Sequence, residues 1–434
     1  MSPGKTITAP GKDSALSDWL NYLEHLHSTE IDLGLTRVAQ VYQRLSPSSS
    51  AAKPARYVIT VAGTNGKGST VSYLEHILRD AGYRVGVYTS PHLVDYRERV
   101  TIDGDMLSEQ QHVQAFTAIE AARGDTSLTY FEFGTLAAFW LMQQQALDVA
   151  ILEVGLGGRL DAVNVVDPDV AVVTSIGIDH IQFLGDNREQ IGREKAGIAR
   201  AGKALICGDK RPPKSIKTVA EEVGAKLRQS GTHFGYSEAD GCWHYRGIES
   251  NLLQLPLPQL PLMNAATAIA ALESLPLAVS ADAIRSGLQR AQLMGRMQQL
   301  SYGGCDVLLD VAHNAHAAEY LLQVLNKRYK QRPIVAVVGM LKDKDHNAVF
   351  AQLQGRIQRW YLGTLSEPRG NQAQVLAQAP SLQESQAEVQ CFDQVEQAFE
   401  QAIVDAAASA NEKPLVFVFG SFYTVGRINQ RIRS

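Results

Sequence analysis

Val61-Ala62-Gly63-Thr64-Asn65-Gly66-Lys67-Gly68-Ser69-Thr70 decides the fold of this 434-residue chain. The apolar, β-branched run Tyr57-Val58-Ile59-Thr60-Val61 before it reads as a strand, and Val71-Ser72-Tyr73-Leu74-Glu75-His76-Ile77-Leu78 after it reads as an amphipathic helix. A glycine-rich turn from strand to helix aims backbone N–H groups and a helix N-terminus at one spot, which attracts phosphate. Lys67 adds a full positive charge there, and a hydroxyl from Ser69 or Thr70 is placed to help hold magnesium. The common pattern G-x-x-x-x-G-K-[ST] asks for glycine at 61 and a hydroxyl at 68, where this chain has Val61 and Gly68. The plainer alternative is an ordinary strand–turn–helix corner; the context favours phosphate binding.

Working outward, strand-like runs recur between helical stretches at Arg84–Tyr88, Asp148–Glu153, Asp169–Thr174 and Ala204–Cys207. That alternation implies βαβ units and a mainly parallel sheet, whose chemistry gathers at the carboxyl ends of the strands. There the runs lead into Gly63–Ser69, Thr89-Ser90-Pro91-His92, Glu153-Val154-Gly155 and Asp179-His180. A second set of strands covers Cys305–Val311, Ile334–Gly339, Arg359–Leu362 and Leu415–Phe419, so an α/β chain of two domains is expected, residues 1–295 and 296–434. Residues 1–12 read as a loose tail, Ser14 to about His27 as a helix, and Ser46-Pro47-Ser48-Ser49-Ser50 as a surface loop.

Composition narrows the function. Hydrophobic content of 45% and charged content of 20% describe a soluble globular protein. A formal charge of −4 supplies no basic field for nucleic acid or anionic membrane. Cys207, Cys242, Cys305 and Cys391 lie far apart, against a cysteine zinc site or a disulfide framework. The first residues have no apolar core of a signal peptide, and no run approaches the roughly 20 residues of a membrane span. A cytoplasmic enzyme is expected.

Several residues carry candidate chemistry. Glu153 ends an apolar strand, and a carboxylate buried there needs a cation: a magnesium ion, or Arg159 in a salt bridge. His180 is a structural hydrogen-bonder or a metal ligand, and Ser90 before Pro91 is a turn-former or a third ligand. Gly155-Leu156-Gly157-Gly158-Arg159-Leu160 fails as a dinucleotide fingerprint, because the third glycine falls at Leu160. Asn264 reads as a helix N-cap. Tyr130 and Phe131 offer flat faces, as a ligand platform or as plain core.

Gly63-Thr64-Asn65-Gly66-Lys67-Gly68-Ser69 resembles the ATP loop of the Mur ligase superfamily, and glycine after the lysine resembles its folylpolyglutamate synthase branch. The resemblance extends from about Trp19 to Gly420-Ser421-Phe422-Tyr423. It implies a P-loop ATPase domain with a mainly parallel sheet, and a smaller Rossmann-like C-terminal domain that closes over ATP and glutamate. It assigns Thr64, Asn65, Gly66, Lys67, Gly68, Ser69, Asn264, Arg296 and Asp310 to ATP. Lys67, Lys195 and His313 become catalytic; Ser90, Glu153, His180 and Lys195 become metal ligands for about two magnesium ions. In such ligases the lysine matching Lys195 in Arg193-Glu194-Lys195 is carbamylated by carbon dioxide, which requires a neutral amine. The pterin or folate falls to Asp32, Leu33, Gly34 and Leu35, to Thr129, Tyr130, Phe131 and Glu132, and to Leu160, Asp161 and Ala162. This chain departs from the family pattern at Val163, Met294 and Ala315, none of which must supply a charge.

The expected activity is ATP-dependent ligation of L-glutamate to dihydropteroate and to reduced folates through an acyl phosphate, by a monomer without nucleic-acid or membrane partners. Three rivals are a folylpolyglutamate synthase alone, a peptidoglycan Mur ligase, and a P-loop NTPase switch that makes no amide. Gly68 and the Thr129–Glu132 segment argue against the peptidoglycan ligase.

Overall fold

The computed structural model describes residues 8–45, 53–409 and 413–434, so the serine-rich loop expected at 46–50 and the start of the expected tail lie outside the described residues. The chain divides into two compact units, Met1–Ala291 and Gln292–Ser434.

The first unit is built on an eight-stranded sheet. Its strands are β1 (Tyr57–Ala62), β2 (Val85–Tyr88), β3 (Val100–Ile102), β4 (Asp105–Met106), β5 (Val149–Glu153), β6 (Val170–Val173), β7 (Ala204–Cys207) and β8 (Lys226–Gln229). They lie in the order β4-β3-β2-β5-β1-β6-β7-β8, parallel except at the β2–β3 and β3–β4 pairings. Residues Val85–Tyr88, Val149–Glu153 and Val170–Val173 are buried throughout, as the near-continuous apolar runs of a covered parallel sheet require. β1 is the central element. Val61 stands opposite Glu153, Ala62 opposite Val173, and on the far side of β5 Tyr88 stands opposite Leu152. Four neighbouring strands, β2, β5, β1 and β6, therefore end side by side.

A three-stranded antiparallel sheet, β9 (Gly235–Ala239), β10 (Cys242–Arg246) and β11 (Asn251–Pro256), completes this unit; the alternating strand–helix pattern gave no sign of it. Its buried face carries Trp243 and Tyr245, its other face His244 and Arg246.

The second unit holds a six-stranded sheet of β12 (Gln298–Tyr302), β13 (Cys305–Asp310), β14 (Ile334–Val338), β15 (Arg359–Gly363), β16 (Glu388–Phe392) and β17 (Leu415–Phe419), ordered β12-β13-β17-β14-β15-β16. Only β12 runs antiparallel to its neighbour. Trp360 and Phe350 anchor the core with ring centroids 5.1 Å apart, edge to face. Truncating either to alanine removes about 3–5 kcal/mol of stability.

Candidate active site

The phosphate loop is held from two sides. Gly66 takes a left-handed conformation (φ 89°) and caps the helix Lys67–Asp80, so the helix N-terminus opens onto the loop. The loop backbone is tied to the exit of β6. Thr64 N–H donates to the Ser175 carbonyl (2.8 Å), the Asn65 carbonyl accepts from the Thr174 and Ser175 hydroxyls (2.7 and 2.9 Å), and Thr64 Oγ1 exchanges hydrogen bonds with Gly177 (3.0 and 3.1 Å). A methyl on Gly63 would strike the Thr174 hydroxyl, and one on Gly66 would lie 2.7 Å from Asn264 Oδ1. Asn264 is thus packed against the loop. It does not cap a helix: the helix Leu262–Leu272 begins two residues earlier after Pro261, and Asn264 lies inside its first turn. Gly66→Ala is expected to cost about 1–2 kcal/mol for the left-handed backbone alone, and to weaken nucleotide binding by displacing Asn264. Thermal melting and ADP titration check the two effects separately.

The charged cluster forms where the strand ends meet. Lys67 Nζ donates to the Gly63 carbonyl at 3.2 Å and lies 4.0 Å from Glu153 Oε1. The other carboxylate oxygen of Glu153 accepts from the Ser90 N–H at 3.4 Å. Arg159, the alternative partner for Glu153, pairs instead with Glu194 at 2.8 Å. His180 sits exposed beyond β6 with a left-handed backbone (φ 52°), its Nε2 4.0 Å from Asp179 Oδ1.

Lys195 is buried. It lies in the last turn of the helix Arg188–Ala196, which Asn187 caps. Burial, reinforced by the positive charge of Lys67, pushes the Lys195 amine down to about 7, while Asp179 and Asp161 pull it back up. Among the described residues no three His, Cys, Asp or Glu side chains form a ready metal cage. A hard cation such as magnesium needs no such cage, since it commonly takes one or two carboxylates and completes its shell with water and substrate phosphates. The Glu153 carboxylate beside Ser90 and the phosphate loop fits that demand.

Two expected substrate segments are joined by a residue the sequence reading missed. Arg37 donates to Asp32 Oδ2 (2.6 Å), to the Asp32 carbonyl (2.8 Å) and to Glu132 Oε1 (2.9 Å). Leu33, Gly34 and Leu35 follow Asp32 and lead into the helix Thr36–Leu45 that carries Arg37. Thr129 and Glu132 form a capping box at the helix Tyr130–Gln143, so their side chains brace the segment. Tyr130 lies under the Arg99 guanidinium (5.4 Å), which also faces Tyr96. Phe131 approaches Tyr88 and leaves no room for a side chain at Gly155. Asp161 lies between Leu160 and Ala162 and spends both oxygens on the N–H groups of Leu156 (2.8 Å) and Val163 (3.0 Å). Burial raises its carboxyl to about 6 against the pull of those bonds.

In the second unit, Asp310 ends β13 and accepts from Met297 N–H (3.0 Å) and Ala312 N–H (2.9 Å), with Arg296 Nη1 3.9 Å away. Burial raises the Asp310 carboxyl above the usual carboxylate range and Arg296 opposes it. Arg296 also lies over Phe422 at 5.6 Å, and the His313 ring hydrogen-bonds the Val311 carbonyl through Nδ1 (2.9 Å). Arg296, Asp310 and His313 thus share one edge of this unit's sheet.

Residues 61–238 match the Mur ligase middle domain and residues 295–422 match the Mur ligase glutamate ligase domain. The dihydrofolate synthase/folylpolyglutamate synthase of Escherichia coli is 50% identical over 98% of this chain and 97% of its own length. That of Haemophilus influenzae is 42% identical over 95% and 96%. The chain belongs to the dihydrofolate synthase/folylpolyglutamate synthase family of Mur ligases. The structure of E. coli FolC in complex with DHPP and ADP matches this family member with a TM-score of 0.92 at 50% identity, over 98% of this chain and 99% of that one. A Yersinia pestis relative complexed with AMPPNP and a manganese ion matches at 0.90 and 49%, over 98% and 100%. The family membership accounts for the α/β architecture of both units. Arg37 and Arg99 stood outside every motif quoted from the sequence, because Arg37 meets Glu132 and Arg99 meets Tyr130 far along the chain.

Proposed function

We infer that this Mur ligase uses ATP to join L-glutamate to dihydropteroate and to the γ-carboxylate of reduced folates. The observation that carries the reading is the convergence of the phosphate loop, Lys67 and Glu153 on adjacent strand ends, in a chain aligned over nearly its whole length with bifunctional relatives. A carboxylate has no good leaving group. Transfer of the ATP terminal phosphoryl group to a carboxylate oxygen supplies one, giving an acyl phosphate and ADP. The glutamate α-amine then attacks the acyl carbon, the bond to phosphate breaks from the tetrahedral intermediate, and the amine loses a proton.

Lys67 and the loop N–H groups offset charge on the phosphoryl group in flight. Thr64, Asn65, Gly66, Gly68 and Ser69 would cradle the phosphates with Asn264 against them; Arg296 and Asp310 would bind nucleotide and His313 would act in catalysis. Ser90, Glu153 and His180 would hold magnesium, which when bound neutralises phosphate charge. Lys195, as a neutral amine, would add carbon dioxide and release a proton to become a carbamate, a second anionic ligand for magnesium. The described cysteines are free and no described helix is long and apolar enough to cross a membrane, which supports a cytoplasmic enzyme; we further propose that it acts as a monomer.

Purified protein given dihydropteroate, glutamate and ATP should yield dihydrofolate with one ADP per amide bond. Stoichiometric AMP would overturn the acyl phosphate route, and extension of folates with dihydropteroate untouched would reduce the activity to folylpolyglutamate synthase. Arg37 supplies a further check. Arg37→Ala leaves the buried Glu132 carboxylate without its cation, so KM for dihydropteroate should rise at least tenfold while KM for ATP moves little. Arg37→Lys, which keeps the charge but loses the fork, should fall between the two.

A further inference from the structure

A cavity of about 800 Å³ lies away from every residue assigned above, lined by Lys210, Ser230, Tyr236, His244 and Arg246 among others. It opens where β7 and β8 end, on the same sheet edge as the phosphate loop but farther along the strand order. Two cations from different elements line it. Lys210 Nζ lies 4.5 Å over the Tyr236 ring, and the Arg246 guanidinium lies across Gly235, where an added methyl would be 3.6 Å from Nη2.

Among the described residues neither cation has an ion pair or hydrogen bond, and no Asp or Glu lines the cavity. Asp209, next to Lys210, is already occupied: it accepts from Arg188 (2.9 Å) and from the Ile176 and Arg211 N–H groups. A second cavity, of about 260 Å³ by Lys203, Lys226 and Arg228, shows the contrast, because Asp169, Glu249 and Glu273 share its walls. Like charges gathered without a counter-charge raise the local potential, and a bound anion relieves it. The larger volume matches a small-molecule ligand and far exceeds a single ion.

We propose that this groove is a binding site for a small polyanion bearing several carboxylates or phosphates, separate from the ligase centre. Lys210 and Arg246 pair with the charges, and His244, Ser237 and Asn251 also line the groove. Asp209 links the Lys210 loop to Ile176, two residues beyond the Thr174 that holds the phosphate loop.

Calorimetric titration of the full-length protein, its nucleotide site saturated with magnesium and ADP, tests the site with inorganic tripolyphosphate and, separately, with tri-γ-glutamate. At least one probe should bind saturably, and Lys210→Ala/Arg246→Ala should weaken that binding tenfold or more at an unchanged melting temperature and unchanged ligase turnover. Charge reversal by Arg246→Glu should abolish it. Binding of tri-γ-glutamate alone assigns the site to carboxylates, and binding of tripolyphosphate alone assigns it to phosphates. Absence of saturable binding by both probes, or binding undiminished in the double variant, would overturn the proposal. The test needs no turnover to detect binding, so it stands or falls apart from the ligase assignment.

Discussion

Lys67→Ala is expected to lower turnover by about a hundred- to a thousandfold while the protein stays folded. Lys67 is the first residue of its helix, and its ammonium bridges the Gly63 carbonyl and Glu153 at the mouth of the phosphate loop. Its charge is therefore fixed in place before ATP arrives, and little reorganisation is needed during phosphoryl transfer. The variant also leaves the buried Glu153 without the cation 4.0 Å away, so a lower melting temperature should accompany the loss. Lys67→Arg keeps the charge but substitutes a planar fork for a compact ammonium, and should recover only part of the rate. Steady-state kinetics at saturating ATP, with circular dichroism as the fold control, read the outcome. Near-normal turnover in folded Lys67→Ala would remove this residue from the mechanism.

Lys195→Ala should be nearly inactive, and formate or acetate should restore part of the rate by placing a carboxylate where the carbamate would stand. A companion effect is thermodynamic. Lys195 titrates at about 7 in the fold and near 10.4 in an unfolded chain. Between those values the unfolded state binds a proton that the native state does not, so stability rises with pH across that window. In carbon-dioxide-free buffer Lys195→Met should be more stable than the parent at pH 7 and show a flatter stability–pH slope from 7 to 10. A parallel slope in the two proteins would contradict the buried neutral amine, and full activity of Lys195→Ala would contradict the carbamate.

The parts of this fold legible in the sequence are those that local chemistry dictates. Tyr57–Val61 is apolar and β-branched, the glycines beyond it permit the turn, and the result is β1 with its loop and helix. Glu153 betrayed itself as an acid ending an apolar strand. What stayed hidden acts across distance. Arg37 binds Glu132 from 95 residues away, and nothing in Thr36-Arg37-Val38 distinguishes it from a solvated helix arginine. Asn264 looked like a cap because caps favour asparagine, yet Pro261 already starts the helix and Asn264 serves the loop. The β9–β11 hairpins mix buried tryptophan and tyrosine with exposed polar residues and a bulge between Trp243 and Tyr245, which blurs the alternation that marks a strand.

The clasp between the phosphate loop and the exit of β6 also sets an order of events during synthesis. Asn65 depends on Ser175, 110 residues later, for the bond from its own N–H and for the hydroxyl that meets its carbonyl. A nascent chain leaves the ribosome from its N-terminus, so β1 and its glycines emerge long before their partners. Until β5 and β6 have emerged to flank it, β1 lacks both neighbours, and an apolar strand with two open edges is a natural client for chaperones. Nucleotide affinity should therefore appear late and abruptly along a series of stalled nascent chains, once the segment through Gly177 is free of the exit tunnel.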